Sequence, residues 1–362
     1  MLMRRWMAVA AAPLLVTGCS YFGSQHADDW RGRTDVDSAE LAINTVLRDI
    51  DPCGFVDAES IKAKIPRAIS YGYAEGFDRC TLRLGAYDGD FTSDVSATIG
   101  FDFTPDPGEM VEQPTDAVQV GGITIIHMLG PTSNRGWCRY VFNLGVGDVP
   151  DPSSRGGVAD LMKRVRVEVR ASLSNDPGPG RPIYPCKEAI AIASGAAQIR
   201  SRQLPGRSDS VPFPAGQDPC ALFPDLRDFS NYSPGGTGMG RGLYGCLFSS
   251  GPPGDPKTHR VRMTLRPVDP HEPDTSSYGD ERHSVVEQRD GVELHVSTVT
   301  RRYDKPFCEV YVFLGSEYRP TYFTPERARP EDVRVPGAVL RGTSSCDDIK
   351  DVAAAAGKRF RP

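Results

Sequence analysis

The chain has 362 residues, 25% of them charged and 39% hydrophobic, with a formal net charge of −5. That is the composition of a folded, water-exposed chain with room for two domains of ordinary size. The acidic balance and the lack of a Lys/Arg-rich stretch argue against a nucleic-acid partner. Past the first twenty residues no apolar run is long enough to cross a bilayer as a helix.

The N-terminus reads as an export signal. Arg4 and Arg5 form a positive start, and residues 7–16 form a short apolar segment. The sequence Val16-Thr17-Gly18-Cys19 follows, and it resembles the bacterial lipobox. That resemblance implies a signal peptide over residues 1–18, cleavage after Gly18 and acylation of Cys19. Two or more acyl chains would anchor the chain stably in a membrane, on the extracytoplasmic face. The paired arginines leave Sec and Tat export both open. Residues 19–37 are polar and aperiodic, and they read as a tether.

A helix is expected next, capped by Asp37 with Glu40 three residues on as in a capping box. Ile43, Val46, Leu47 and Ile50 fall on one face of it. Then comes Asp51-Pro52-Cys53. Asp favours a helix N-cap and Pro the first helical position, which puts the cysteine in the first turn. A short helix is predicted over residues 57–65. Strands are predicted over residues 80–86, 95–103, 123–128 and 139–146. Residues 165–169 alternate with charges and fit strand or helix. Cys186 opens a closing helix with Ile190, Ala193 and Ala197 on one face.

Asp-Pro-Cys returns at Asp218, Pro219 and Cys220. Each copy opens a run of four cysteines: Cys53, Cys80, Cys138 and Cys186, then Cys220, Cys246, Cys308 and Cys346. Around the third cysteine WCRYVFNLG in one copy matches FCEVYVFLG in the other. The expected strands repeat over residues 247–249, 260–266, 292–298 and 309–314. The chain therefore reads as two similar domains, residues 38–200 and 216–362, joined by a Pro-rich linker over 201–215. Sequential strands with flanking helices predict an α+β fold, each domain an antiparallel sheet flanked by helices and stapled by two disulfides. Four cysteines allow three pairings. We expect first with second and third with fourth in each copy. Removing Cys19 from the nine cysteines leaves eight for these pairs.

Residue patterns for catalysis are weak. The glycine-rich run 235–245 leads into Cys246 and a strand, whereas a phosphate loop opens a helix. Asp88, Asp90 and Asp94 have the early spacing of a calcium loop, but Ser93 and Ile99 stand where the central glycine and distal glutamate belong. His127 and His295 lie on corresponding strands one position apart, which should turn them to opposite faces. The acidic segments 106–112 and 269–281 differ between the copies. No HExxH, GxSxG or CxxC is present. We expect no catalytic residue, metal or cofactor.

With its lipobox, Asp-Pro-Cys openings and four-cysteine runs, the chain resembles an actinobacterial lipoprotein family of unknown function, the domain of unknown function 3558, in two tandem copies. Its architecture is also similar to extracytoplasmic sensor domains of actinobacterial serine/threonine kinases. The copies share core-building cysteines, aromatics, glycines and aliphatics while their loops differ, so we expect a membrane-anchored binding or sensing module rather than an enzyme, held to membrane lipid through Cys19. Its ligand would be an envelope protein, a peptide or a small molecule, bound in loops or in a groove between the domains. The alternatives are an envelope hydrolase with its site in one copy, or a structural envelope protein.

Overall fold

The fold is that of a computed structural model, which describes residues 35–86, 94–103, 113–129, 137–146, 162–173, 185–207, 212–235, 242–251, 258–275, 280–301 and 306–362. The leader with Gly18 and Cys19, the acidic segment 106–112, and Asp88 and Asp90 lie outside the described residues.

Among the described residues the helices named here are α1 (Asp35–Arg48), α2 (Ala58–Lys64), α3 (Cys186–Arg200) and α4 (Cys346–Phe360). The first half of the chain supplies β1 (Ser70–Gly72), β2 (Arg79–Ala86), β3 (Asp94–Phe103), β4 (Gln113–Val120), β5 (Ile123–Leu129), β6 (Trp137–Asn143) and β7 (Val165–Leu173). The second supplies β8 (Asn231–Pro234), β9 (Gly245–Ser249), β10 (Arg260–Val268), β11 (Asp280–Arg289), β12 (Val292–Arg301), β13 (Phe307–Phe313), β14 (Thr321–Tyr322) and β15 (Val335–Gly342). They form two sheets with every ladder antiparallel. The first has the order β14-β1-β2-β3-β7-β6-β5-β4 and the second β11-β12-β13-β15-β10-β9-β8. Read from β8, the second order repeats β1-β2-β3-β7-β6-β5-β4 strand for strand. The expected α+β class, two similar antiparallel domains with helices on one face, is what is found.

The predicted strands lie where the pattern put them, with two refinements. Residues 165–169, whose pattern fits strand or helix, belong to β7, an internal strand. Val165, Val167, Val169 and Ala171 are buried, and Arg166, Glu168 and Arg170 alternate with them on the other face. Period two is the strand signature. The strands following the third cysteines, β6 and β13, are also internal, but β7 and β15 lie nearer the middle of each sheet.

Three helix details differ from expectation. Helix α1 begins at Asp35, so Asp37 lies inside its first turn and is not its cap. The buried face of α3 runs through Ala189, Ile192, Ala193, Ala196 and Ala197, with Ile190 only half-buried. Each Asp-Pro-Cys opens a 3-10 turn rather than an α-helix. Asp51 accepts from the Cys53 N–H at 2.8 Å and Asp218 from the Cys220 N–H at 3.0 Å. The capping role is as expected; only the helix type changes.

Disulfides join Cys53–Cys80, Cys138–Cys186, Cys220–Cys246 and Cys308–Cys346, with Cα separations of 4.8, 5.1, 5.3 and 5.4 Å. These are the expected pairs. In each half one bridge ties the 3-10 turn to the second strand, and the other ties an internal strand to the start of the closing helix. Helix α4 buries Ile349, Val352, Ala353, Ala356 and Phe360 against β12, β13 and β15. Gly357 lets it close on the sheet, since a Cβ there would stand 2.4 Å from Val292 Cγ1.

The halves are joined by two structures that the sequence did not reveal. The first is a buried polar hub. Arg207 donates to the Arg48 carbonyl, to the Phe77 carbonyl at 2.6 Å, to Tyr244 Oη at 2.7 Å and to Tyr73 Oη at 3.2 Å. Tyr73 donates to Asp51, and Arg48 to Asp218 at 3.1 Å and to the Leu243 carbonyl at 3.2 Å. Both Asp-Pro-Cys aspartates are therefore part of the junction. Helix α1, upstream of the first sheet, packs on β8 of the second. The second structure is a clasp. Residues 318–334 leave the second half and cross to the first, where β14 pairs with β1. Phe323 lies against Tyr71 at 5.1 Å between ring centres. Asp332 bonds Arg83 at 2.7 Å.

Candidate functional site

The hub and clasp bring the halves into contact at the junction between them. A groove of about 660 Å³ lies within the second half. One wall is the loop leaving the second Asp-Pro-Cys turn: Asp225, Leu226, Arg227, Asp228 and Phe229. The other is the outer side of α4, with Asp351, Val352, Ala355, Lys358 and Arg359. Asp290, at the tip of the β11–β12 hairpin, closes one end. Its volume is in the range of small-ligand sites.

Each wall follows from local sequence. Pro224 and the end of the 3-10 turn at Asp225 release the chain into an exposed turn at Arg227 and Asp228. Leu226 turns inward and is buried, as is Val352 on the helix, so the floor is apolar. Helix α4 has Lys358 and Arg359 in its last turn, where cations are favoured by the helix dipole. The hairpin tip needs left-handed backbone at Asp290 (φ 53°) and Gly291 (φ 79°), a two-residue turn suited to Asp-Gly.

The rim is charged. Lys358 bonds Asp290 at 2.8 Å and holds its carboxyl below the usual range. Asp351 is bonded by Arg289 at 2.6 Å. Arg227, Arg359, Asp225 and Asp228 pair with no other side chain among the described residues. The lining contains no histidine, serine or cysteine. A groove with an apolar floor and uncommitted charges of both signs can hold a ligand that carries both charges. Its lining offers no nucleophile–base pair of the kind acyl transfer needs.

The residues singled out from sequence are placed as follows. His127 stacks on Tyr140 at 4.7 Å and lies with Cys138 on the helix face of its sheet. His295 pairs in register with Tyr311 on the opposite face of the second sheet. The two histidines face opposite ways, as their one-residue offset required. His127, Cys138 and Cys186 place ligand atoms within 4.8 Å of one another. The two sulfurs are bonded to each other, and it is the thiolate that ligates a metal. Asp94 opens β3 and lies 3.7 Å from Arg329. The described ends of the glycine run join β8 to β9, with the Gly235 N–H bonded to the Gly245 carbonyl at 2.8 Å. Of segment 269–281, Glu272 is spent on Arg266 and Asp269 lies 3.8 Å from Arg334. Sequence reasoning missed the groove residues. Their available trace was a charged Asp-Leu-Arg-Asp bend in the second copy with no counterpart after Cys53.

A second buried cluster lies on the face of the second sheet away from α4. Glu309 is fully buried, bonded by Arg341, by Arg282 at 2.9 Å and by the Tyr311 hydroxyl at 2.7 Å. Every partner is internal, so this cluster braces the sheet. No family model, curated protein or solved structure matches the chain.

Proposed function

We propose that this chain is a lipid-anchored extracytoplasmic binding or sensing module that holds a small ligand of mixed charge, such as a short peptide, in the groove beside α4. The observation that carries the reading is the set of uncommitted charges around an apolar floor, Arg227 with Asp225 and Asp228 on one wall and Arg359 on the other. The lipobox ending at Cys19 and the likeness to Asp-Pro-Cys lipoproteins support the location. The disulfides support an oxidising compartment, where such bridges form and persist. Braced walls also lower the ordering cost of binding.

One experiment with two arms tests it. The full chain is expressed in a bacterial envelope with a photo-crosslinker at Ala355 on the groove wall, and adducts are identified by mass spectrometry. The parent should yield a reproducible small adduct that disappears in the Arg227→Glu, Arg359→Glu double variant. The Cys19→Ala variant should lose both acylation and cleavage before residue 19. An adduct indifferent to the charge reversals would refute the groove as the site. A Cys19→Ala variant that is processed before residue 19 and fractionates like the parent would refute the lipid anchor.

A further inference from the structure

The two sheets end in four edges, and three of them are blunted. In the first sheet β4 contains Pro114 and loses register between Pro114 and Ala117, while the other end is the two-residue β14. In the second sheet β8 is a four-residue strand that ends in Pro234 and has α1 packed on it. Proline, irregular register, shortness and cover are the devices by which proteins keep edges from pairing. Strand β11 has none of these four; it does carry charges, another such device, and in the register below Glu281 and Arg289 are complementary. It runs in unbroken register with β12 over ten residue pairs, Asp280–Arg301 through Arg289–Val292, and among the described residues nothing pairs with its outer edge. Val285 and Val286, 58% and 61% exposed, sit in the middle of it.

We propose that β11 is a dimer interface, pairing antiparallel with β11 of a second copy about a two-fold axis at Val285. The backbone phase permits this. The two-residue turn at Asp290 and Gly291 makes Arg289 and Val292 a hydrogen-bonded pair, so odd-numbered residues of β11 point their amides at β12. The even-numbered residues, 282 to 288, present free N–H and C=O groups to the edge. In the two-fold register Ser284 faces Val286 of the second copy and Arg282 faces Gln288, which gives about eight new backbone bonds. Val285 meets its own copy in a closely spaced, non-hydrogen-bonded pair.

Charge selects this register over its neighbours. Glu281 comes opposite Arg289 of the second copy, and His283 opposite Glu287, each twice. Centring on Val286 instead would leave Glu281 without Arg289 as its partner, and centring on Ser284 would oppose Glu281 to Glu287. Like charges directly opposite are destabilising. Glu281, His283 and Val285 are exposed on this face. Arg289 already reaches Asp351 and Asp347, and its five donors leave room for a further carboxylate. An isologous two-fold contact of this kind closes on itself and does not propagate.

The test is disulfide capture in the purified full-length chain. The Val285→Cys variant should form a covalent dimer under mild oxidation, and peptide mapping should find the two introduced sulfurs joined to each other. Val118→Cys, on the blunted β4, should stay monomeric. Adding Glu281→Arg to Val285→Cys should lower dimer yield roughly tenfold, because two attractive pairs become repulsive. Mixing that variant with a Val285→Cys, Arg289→Glu partner should restore it. Equal capture at positions 118 and 285, no capture at 285, or a yield indifferent to the sign of residue 281 would each overturn the proposal. Should Arg289→Glu fail to fold, the contrast between positions 118 and 285 and the response to Glu281→Arg decide it.

Discussion

Tyr244 shows what individual side chains contribute at the junction. Its ring packs edge-on to Phe77 at 5.6 Å, its hydroxyl donates to the Ala215 carbonyl at 2.6 Å, and it accepts from Arg207. Burial pushes its ionisation up, as it does for Tyr73, Tyr311 and Tyr318. An unfolded tyrosine ionises near pH 10. Above that pH the folded chain holds more protons than the unfolded one, so stability is full below about pH 10 and falls as pH rises beyond it. The urea midpoint should be level from pH 7 to 9 and drop between about pH 10 and 11.5. Tyr244→Phe should lower the stability at pH 8 by about 1 kcal/mol through the lost bonds, and should flatten the alkaline drop. A midpoint that ignores pH 11, or a variant with an unchanged alkaline slope, would show that these hydroxyls are not held neutral by the fold.

At the scale of elements, the bridges and the strands bear unequal relations to sequence. The Cys308–Cys346 bridge fixes the start of α4 on β13 across 38 residues. Replacing both cysteines by Ala should cost roughly 4 kcal/mol on the chain-entropy model, read as a shift in urea midpoint with the native near-UV spectrum retained. An effect below about 1 kcal/mol would mean that the apolar face of α4 holds the helix by itself. Cysteine spacing and the period-two alternation of β2, β3, β5 and β10 were legible because each is a local pattern. Strand β15 was not, since Pro336 and Gly337 near its start read as a breaker. In the fold Pro336 stands opposite Pro267, and a Cβ at position 337 would sit 2.7 Å from Val268 Cγ2. Strand β11 was hidden by its charges, which look like a loop until Arg282 is seen against Tyr311 and Glu309. The groove was illegible for a different reason. Its walls come from positions about 130 residues apart, and only the fold brings the Leu226 bend against Val352.

For the whole molecule, the question is whether two similar halves behave as one. The expectation of a tether, a domain, a linker and a domain suggested beads on a string. The structure has a continuous ladder from β14 into β1, Arg83 of the first half bonded to Asp332 and to the Arg327 carbonyl of the second, and Arg207 joining four groups across the hub. The main apolar core is likewise shared by both halves, running from Leu47 and Phe77 through Leu243 and Tyr244 to Phe360. Domains with sparse contacts unfold separately, whereas shared burial and shared bonds couple them. The intact chain should therefore melt in one calorimetric transition whose calorimetric and van't Hoff enthalpies agree. Arg207→Ala removes the hub bonds to Arg48, Tyr73, Phe77 and Tyr244, and Asp332→Ala removes the acceptor of Arg83 and Tyr322 in the clasp. Each change alone should lower the melting temperature and keep one transition. Together they should split it into two, because each half retains its own sheet, closing helix and two disulfides. Two transitions in the parent chain would show that hub and clasp are too weak to couple the halves. A single transition surviving in the double variant would place the coupling in the shared apolar contacts around Phe77 and Tyr244.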